Sequence, residues 1–336
     1  MPSSSAQRSS INGVRERVAV VVRDIIEGEA GLWRDADPAT DALFSWVSRC
    51  IGGSYMRSLL CFAGFQCAGG KSESSPEIFE LCAGIELLHS FALVHDDLMD
   101  GSDMRRGRPS LHRHINAELN DAPVYRESTS IESLSISLSV LVGDLLLALA
   151  FRTVSQFDPG TRALFSTVSN EMCVGQYLDL YLSDAGEVPV DRAELVAANK
   201  SALYSVVRPL QLGAGIADIG EHQELIADLR AFGMPLGLAF QLWDDHLDAF
   251  GSSSETGKPT GLDTVNDRPT LLQALLRDAG IGHAERLSEK ARSVSVEAVY
   301  AKRDEALSAI EARETLQAHG GLLREVAEIV IPRFQL

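Results

Sequence analysis

Residues 85–113 read IELLHSFALVHDDLMDGSDMRRGRPSLHR. Asp96, Asp97 and Asp100 form a DDxxD, and helical spacing sets Asp96 and Asp100 on one face, a turn apart. Like charges at i and i+4 repel, and nothing in a solvated helix needs them beside the apolar run of residues 91–94. A hard, oxygen-seeking cation relieves that repulsion. Magnesium suits best, because it takes one or two carboxylates and leaves positions open to phosphate oxygens. Arg105, Arg106 and Arg108 follow directly, each a planar fork matched to phosphate. Far along the chain FQLWDDHLDAFG, residues 240–251, repeats the arrangement with Asp244, Asp245 and Asp248. Two such acidic helix faces are expected to confront one another across a cavity holding divalent ions and a polyanion.

Helices are expected to position these groups. Apolar residues recur at three and four from Val14 to Ile26, and further helical periods cover residues 38–51, 52–64, 75–99, 131–156, 161–183, 190–216 and 221–250. Pro235, between Gly233 and Gly237, marks close packing or a kink in the last of these. Residues 101–113 and 251–263, rich in Gly and Pro, read as loops, and residues 116–130 as a polar surface loop. Helices over 269–277, 284–294, 296–312 and 316–334 complete the chain. Strand signals are scarce, so the expected class is all-α: a single-domain bundle of long helices around a central cavity, spanning 1–336, with the motifs between about residues 52 and 270.

With 336 residues and 45% apolar content the chain can bury a large core. A net charge of -17 argues against nucleic acid or an anionic membrane as partner, so local arginines, lysines and metal have to hold any phosphate. Five cysteines, at 50, 61, 67, 82 and 173, show no CxxC and suit reduced thiols in a cytoplasmic protein. The first residues suggest neither a signal peptide nor an anchor, and the apolar stretch 138–151, interrupted by Asp144, reads as a buried helix too short to span a bilayer.

DDLMD with RRGRPSLH, then GQYLD (residues 175–179), KSALY (200–204), FQLWDDHLD and GKPTGLD (257–263), in this order, resemble the trans-polyprenyl diphosphate synthases, the short-chain isoprenyl diphosphate synthases that make geranylgeranyl or farnesyl diphosphate. The resemblance implies the isoprenoid synthase fold and a homodimer. It implies a prenyltransferase that condenses isopentenyl diphosphate with an allylic diphosphate, using about three magnesium ions per site. Asp96, Asp100 and Asp244 would hold metal, with Asp97 and Asp248 in support. Arg105, Lys200 and Lys258 would grip the departing diphosphate. Arg57, His89 and Arg106 would face the acceptor, and Gln241, with Ser201 where the family usually has threonine, would face the allylic end.

One motif departs from the family. After Gly52 and Gly53 the usual Lys-Arg pair, which helps hold the acceptor's diphosphate, is replaced by Ser54 and Tyr55, and Ser58 stands where proline is usual. A class I terpene cyclase, or a prenyltransferase with another acceptor, is the alternative this opens. Cyclases commonly replace the second aspartate motif, whereas both are DDxxD here. A non-catalytic partner subunit would be expected to lose metal ligands, and none is lost. Ala92 lies one turn before Asp96 with Phe91 beside it, so Phe91 is the first bulky side chain a growing tail meets and a short product is expected, C20 ahead of C15.

Overall fold

The computed structural model describes residues 4–71, 75–121, 130–183, 186–217, 223–251 and 269–332. They are helical apart from connections and one two-stranded ribbon, so the protein is all-α. The chain forms two compact units, residues 1–58 with 79–157, and residues 59–78 with 158–336.

The first unit holds α1 (Ser4–Trp33), α2 (Thr40–Cys50), α4 (Glu77–Met99), α5 (Leu111–Asp121) and α6 (Ile131–Val154), with the start of α3 (Met56–Cys67). Helix α4 is apolar almost all round and accordingly buried almost all round, from Ile78 and Phe79 through Leu81, Ile85, Leu87 and Leu88. The region read as two loops contains more structure than expected. Met104–Arg105 and Arg108–Pro109 pair antiparallel as β1 and β2, and α5 begins at Leu111. Leu111, Ile115 and Leu119 recur every four residues and are buried, a helical period masked in the sequence by the Gly-Pro run before it. Helix α6 outgrows its predicted apolar core: at 24 residues it is long and apolar enough to cross a membrane, as are α4 and α10.

The second unit holds α7 (Pro159–Ser183), α8 (Val190–Ala197), a π-helical stretch (Ala198–Val207), α9 (Arg208–Ala217), α10 (Gln223–Phe250), α11 (Leu271–Asp278), α12 (Glu289–Ala312), α13 (Glu314–Gln317) and α14 (Gly320–Val330). Helix α10 is its axis, packed along both α12 and the π-helical stretch. Two predicted helices, 284–294 and 296–312, are replaced by a 3-10 turn at His283–Glu285 and one continuous α12 capped by Ser288, whose hydroxyl accepts from the Ala291 N–H. The predicted helix 316–334 is interrupted between α13 and α14. None of the five cysteines is in a disulfide, and Cys61, Cys67 and Cys82 are buried.

Candidate active site

In the first unit α4 delivers the first aspartate motif at its C-terminal end. The Asp100 N–H still bonds the Asp96 carbonyl at 2.9 Å, and Gly101, at φ 63°, then ends the helix. Asp96 and Asp100 therefore share the last helical turn. Asp97 turns elsewhere. Its carboxylate is buried and accepts from Arg105 Nε at 2.9 Å and Nη2 at 2.5 Å, while the same Nη2 lies 3.5 Å from Asp96 Oδ2. Arg105 thus bridges two of the three aspartates.

Arg105 is held there by the ribbon. Arg106 and Gly107 form its two-residue turn, both in left-handed conformation (φ 54° and 71°), which matches the twist of the paired strands. Arg49, Gly53, Ser90, Asp97, Arg105 and Arg106 line a cavity of about 300 Å³ behind the aspartates, on the scale of a small ligand. Gly53 takes φ 117°, a conformation side chains rarely adopt, and a Cβ there would also displace the Arg106 guanidinium 2.6 Å away.

Arg57 and His89 do not line that cavity among the described residues. They contact each other instead, Arg57 Nη1 to His89 Nε2 at 3.2 Å. A guanidinium only donates, so Nε2 accepts and the ring is neutral. Burial, then the charges of Arg57, Arg106 and Arg105, hold the His89 pKa well below the usual imidazole range. Beneath them Glu86 is buried, its Oε1 accepting from the Ser58 hydroxyl at 2.7 Å and the Ser58 N–H at 3.3 Å. Proline at 58 lacks that N–H. Burial raises the Glu86 pKa and the Ser58 hydroxyl opposes it. Phe91 is buried with its ring edge-on to His95, centroids 4.7 Å apart, and Ala92 is half-buried.

In the second unit the π-helical stretch carries Lys200 and Ser201. Such wide turns are rare and recur at functional sites. Glycines clamp this one: a Cβ on Gly175 of α7 would lie 2.5 Å from the Lys200 nitrogen, and one on Gly237 of α10 would lie 2.5 Å from the Ala202 Cα. The Gly233 to Gly237 segment therefore serves close packing. Lys200 Nζ reaches Asp179 Oδ2 at 2.6 Å. Ser201 donates to Gln241 Oε1, and Gln241 Nε2 donates to Asp245 Oδ1 at 2.7 Å. Asp244 is exposed and Asp248 half-buried, one turn apart on α10. Lys258, and the GKPTGLD motif with it, lies outside the described residues.

Among the described residues no three His, Cys, Asp or Glu side chains cluster closely enough to cage a metal ion. Magnesium takes one or two carboxylates and completes its shell with substrate oxygens and water. The pairs Asp96/Asp100 and Asp244/Asp248, each one helical turn apart, fit this donor chemistry, whereas Asp97 is held closely by Arg105.

Sequence reasoning missed three residues here. Arg49 carries no motif signal, and only the fold brings it to the cavity. Glu86 and Asp245 are buried carboxylates, whose roles depend on neighbours distant in sequence.

Residues 42–307 match the model of the polyprenyl synthetase family. The chain is 29% identical over 245 residues to the geranylfarnesyl diphosphate synthase of Natronomonas pharaonis, covering 71% of this chain and 65% of that protein. It is 31% identical over 273 residues to the geranylgeranyl diphosphate synthase of Mycobacterium tuberculosis, covering 79% and 69%. The crystal structure of geranylgeranyl pyrophosphate synthase from Corynebacterium glutamicum, complexed with isoprenyl diphosphate and magnesium, superposes with a TM-score of 0.80 at 30% identity, covering 96% of this chain and 99% of that one.

Proposed function

The chain belongs to the polyprenyl synthetase family, and from that premise we propose that it condenses isopentenyl diphosphate with an allylic diphosphate to a short all-trans prenyl diphosphate, C20 ahead of C15. The observation that carries the reading is the pairing of the Asp96/Asp100 turn with a cavity walled by arginines, metal-seeking carboxylates beside phosphate-seeking cations. The related Corynebacterium structure holds the same two classes of ligand, magnesium and an isoprenyl diphosphate.

Magnesium held by Asp96, Asp100, Asp244 and Asp248 would supply Lewis-acid stabilisation of the departing diphosphate. By the family resemblance, Arg105, Lys200 and Lys258 would donate charge-assisted hydrogen bonds to the diphosphate. Asp97 keeps Arg105 in position for that. Gln241, its amide fixed by Ser201 and Asp245, turns a defined dipole toward the allylic cation. Arg106, with Arg57 and His89 behind it, holds the acceptor while its alkene attacks, and the proton lost passes to the released diphosphate.

The working form we propose is a cytoplasmic homodimer without a membrane span. The experiment is incubation with magnesium, labelled isopentenyl diphosphate and, in turn, dimethylallyl, geranyl and farnesyl diphosphates. Label in a prenyl diphosphate supports the reading. Hydrocarbon released without label indicates a cyclase, and activity only beside a second chain indicates a partner subunit.

A further inference from the structure

We infer that Arg49 is an anion contact in the arginine-walled cavity, acting in place of the basic pair that Ser54 and Tyr55 displace. This rests on the reading above, that the cavity receives the acceptor's diphosphate. Arg49 sits in the last turn of α2, and the chain then doubles back through Gly52 and Gly53 at φ 125° and 117°. Those angles carry Ser54 out to solvent, and neither Ser54 nor Tyr55 lines the cavity among the described residues. A basic side chain at 54 or 55 is thus missing in kind, and the backbone places its substitute on the other arm of the same turn.

Four guanidiniums line the cavity: Arg49, Arg105, Arg106 and Arg108. Asp97 is the carboxylate among its lining residues, and Arg105 already engages it. Arg106 lies across the bare face of Gly53. Arg49 makes one long hydrogen bond, Nη2 to the Pro109 carbonyl at 3.4 Å, and neither it nor Arg106 forms an ion pair among the described residues. The Cys50 thiol feels both Arg49 and Arg106, and of these two Arg106 is partly offset by the buried Glu86 carboxylate while Arg49 has no such counter-charge among the described residues. In a chain of net charge -17 such a concentration of positive charge needs a ligand, and the planar forks select phosphate oxygens.

The test is calorimetric titration of the full chain, without magnesium so that the aspartate motifs contribute little. Inorganic pyrophosphate and isopentenyl diphosphate are the probes, with R49Q, R49K and the remote R34Q compared to the natural protein. A charge-assisted hydrogen bond lost from the cavity should weaken both probes about 10- to 100-fold in R49Q. R49K should fall between, and R34Q should match the natural protein. Unchanged affinity in R49Q overturns the inference, as does failure of the natural protein to bind pyrophosphate. Should R49Q fail to fold by circular dichroism, R49K decides: a clear loss supports Arg49 as the contact and none overturns it. Arg49-dependent binding without any label incorporation would leave this inference standing and sink the condensation reaction. Incorporation with an unchanged acceptor KM in R49Q would do the reverse.

Discussion

The side-chain amide of Gln241 is fixed by Asp245. Gln241 Nε2 donates to Asp245 Oδ1 at 2.7 Å, and the other carboxylate oxygen accepts from the Leu272 N–H, at the start of α11, at 3.3 Å. Asp245 is the middle aspartate of the second motif, yet it is buried and faces the protein. Asn at 245 cannot accept on both sides. D245N should lower kcat by about 10- to 100-fold while leaving the magnesium requirement unchanged. Its effect should largely vanish in a Q241L background, because both changes act on one amide. Additive losses, or a raised magnesium requirement, would assign Asp245 to the metal instead.

The glycine clamp on the π-helical stretch gives a stability prediction. Adding a methyl at Gly237 or Gly175 forces α10 or α7 away from backbone atoms 2.5 Å from the new carbon. Each Ala substitution should cost about 1–3 kcal/mol. Thermal unfolding measures this, and kcat/KM should fall with it because Lys200 and Ser201 ride on the displaced segment. G237A at natural Tm and activity would contradict the clamp.

His246 sets a pH dependence. Its Nδ1 lies 2.9 Å from the Ser295 hydroxyl, with Trp243 stacked against its ring, and burial, then Arg292, lowers its pKa to about 4 from 6.5. Between those values the unfolded chain binds the extra proton and the folded one does not, so stability falls as pH drops from 6.5 toward 4. Melting temperatures across that range should slope less steeply in H246Q. An identical slope would show that other groups control the acid limb.

Phe91 is buried one turn before His95. If the growing tail is stopped by this side chain, F91A should shift the main product to longer chains, read by chromatography of the dephosphorylated alcohols. Unchanged lengths would make Phe91 plain core.

Much of this was legible in the residues because helical spacing is a strong signal. DDxxD after an apolar run put Asp96 with Asp100, and Asp244 with Asp248, on single turns, and the motif order named the family. The missing parts depend on contacts that periodicity does not record. Leu111, Ile115 and Leu119 had a helical period, but Gly107 and Pro109 nearby read as loop. The π-helical stretch is buried at every position from Ala202 to Val207, so no polar face marks its period in the sequence. Asp97 reads as a supporting metal ligand because the motif is written with three aspartates, and Asp245 is given no role by the sequence alone. Their separate tasks appear only when Arg105 and Gln241 are placed beside them.

The most direct measurement is magnesium-dependent incorporation of labelled isopentenyl diphosphate into an allylic primer by the natural protein, D96N and D244N. The expected result is a labelled prenyl diphosphate from the natural protein, with rates down by about 10²- to 10³-fold in each variant, the scale set by loss of one contact on a developing transition-state charge. Full incorporation by D244N, or no incorporation by the natural protein with any primer, would contradict it.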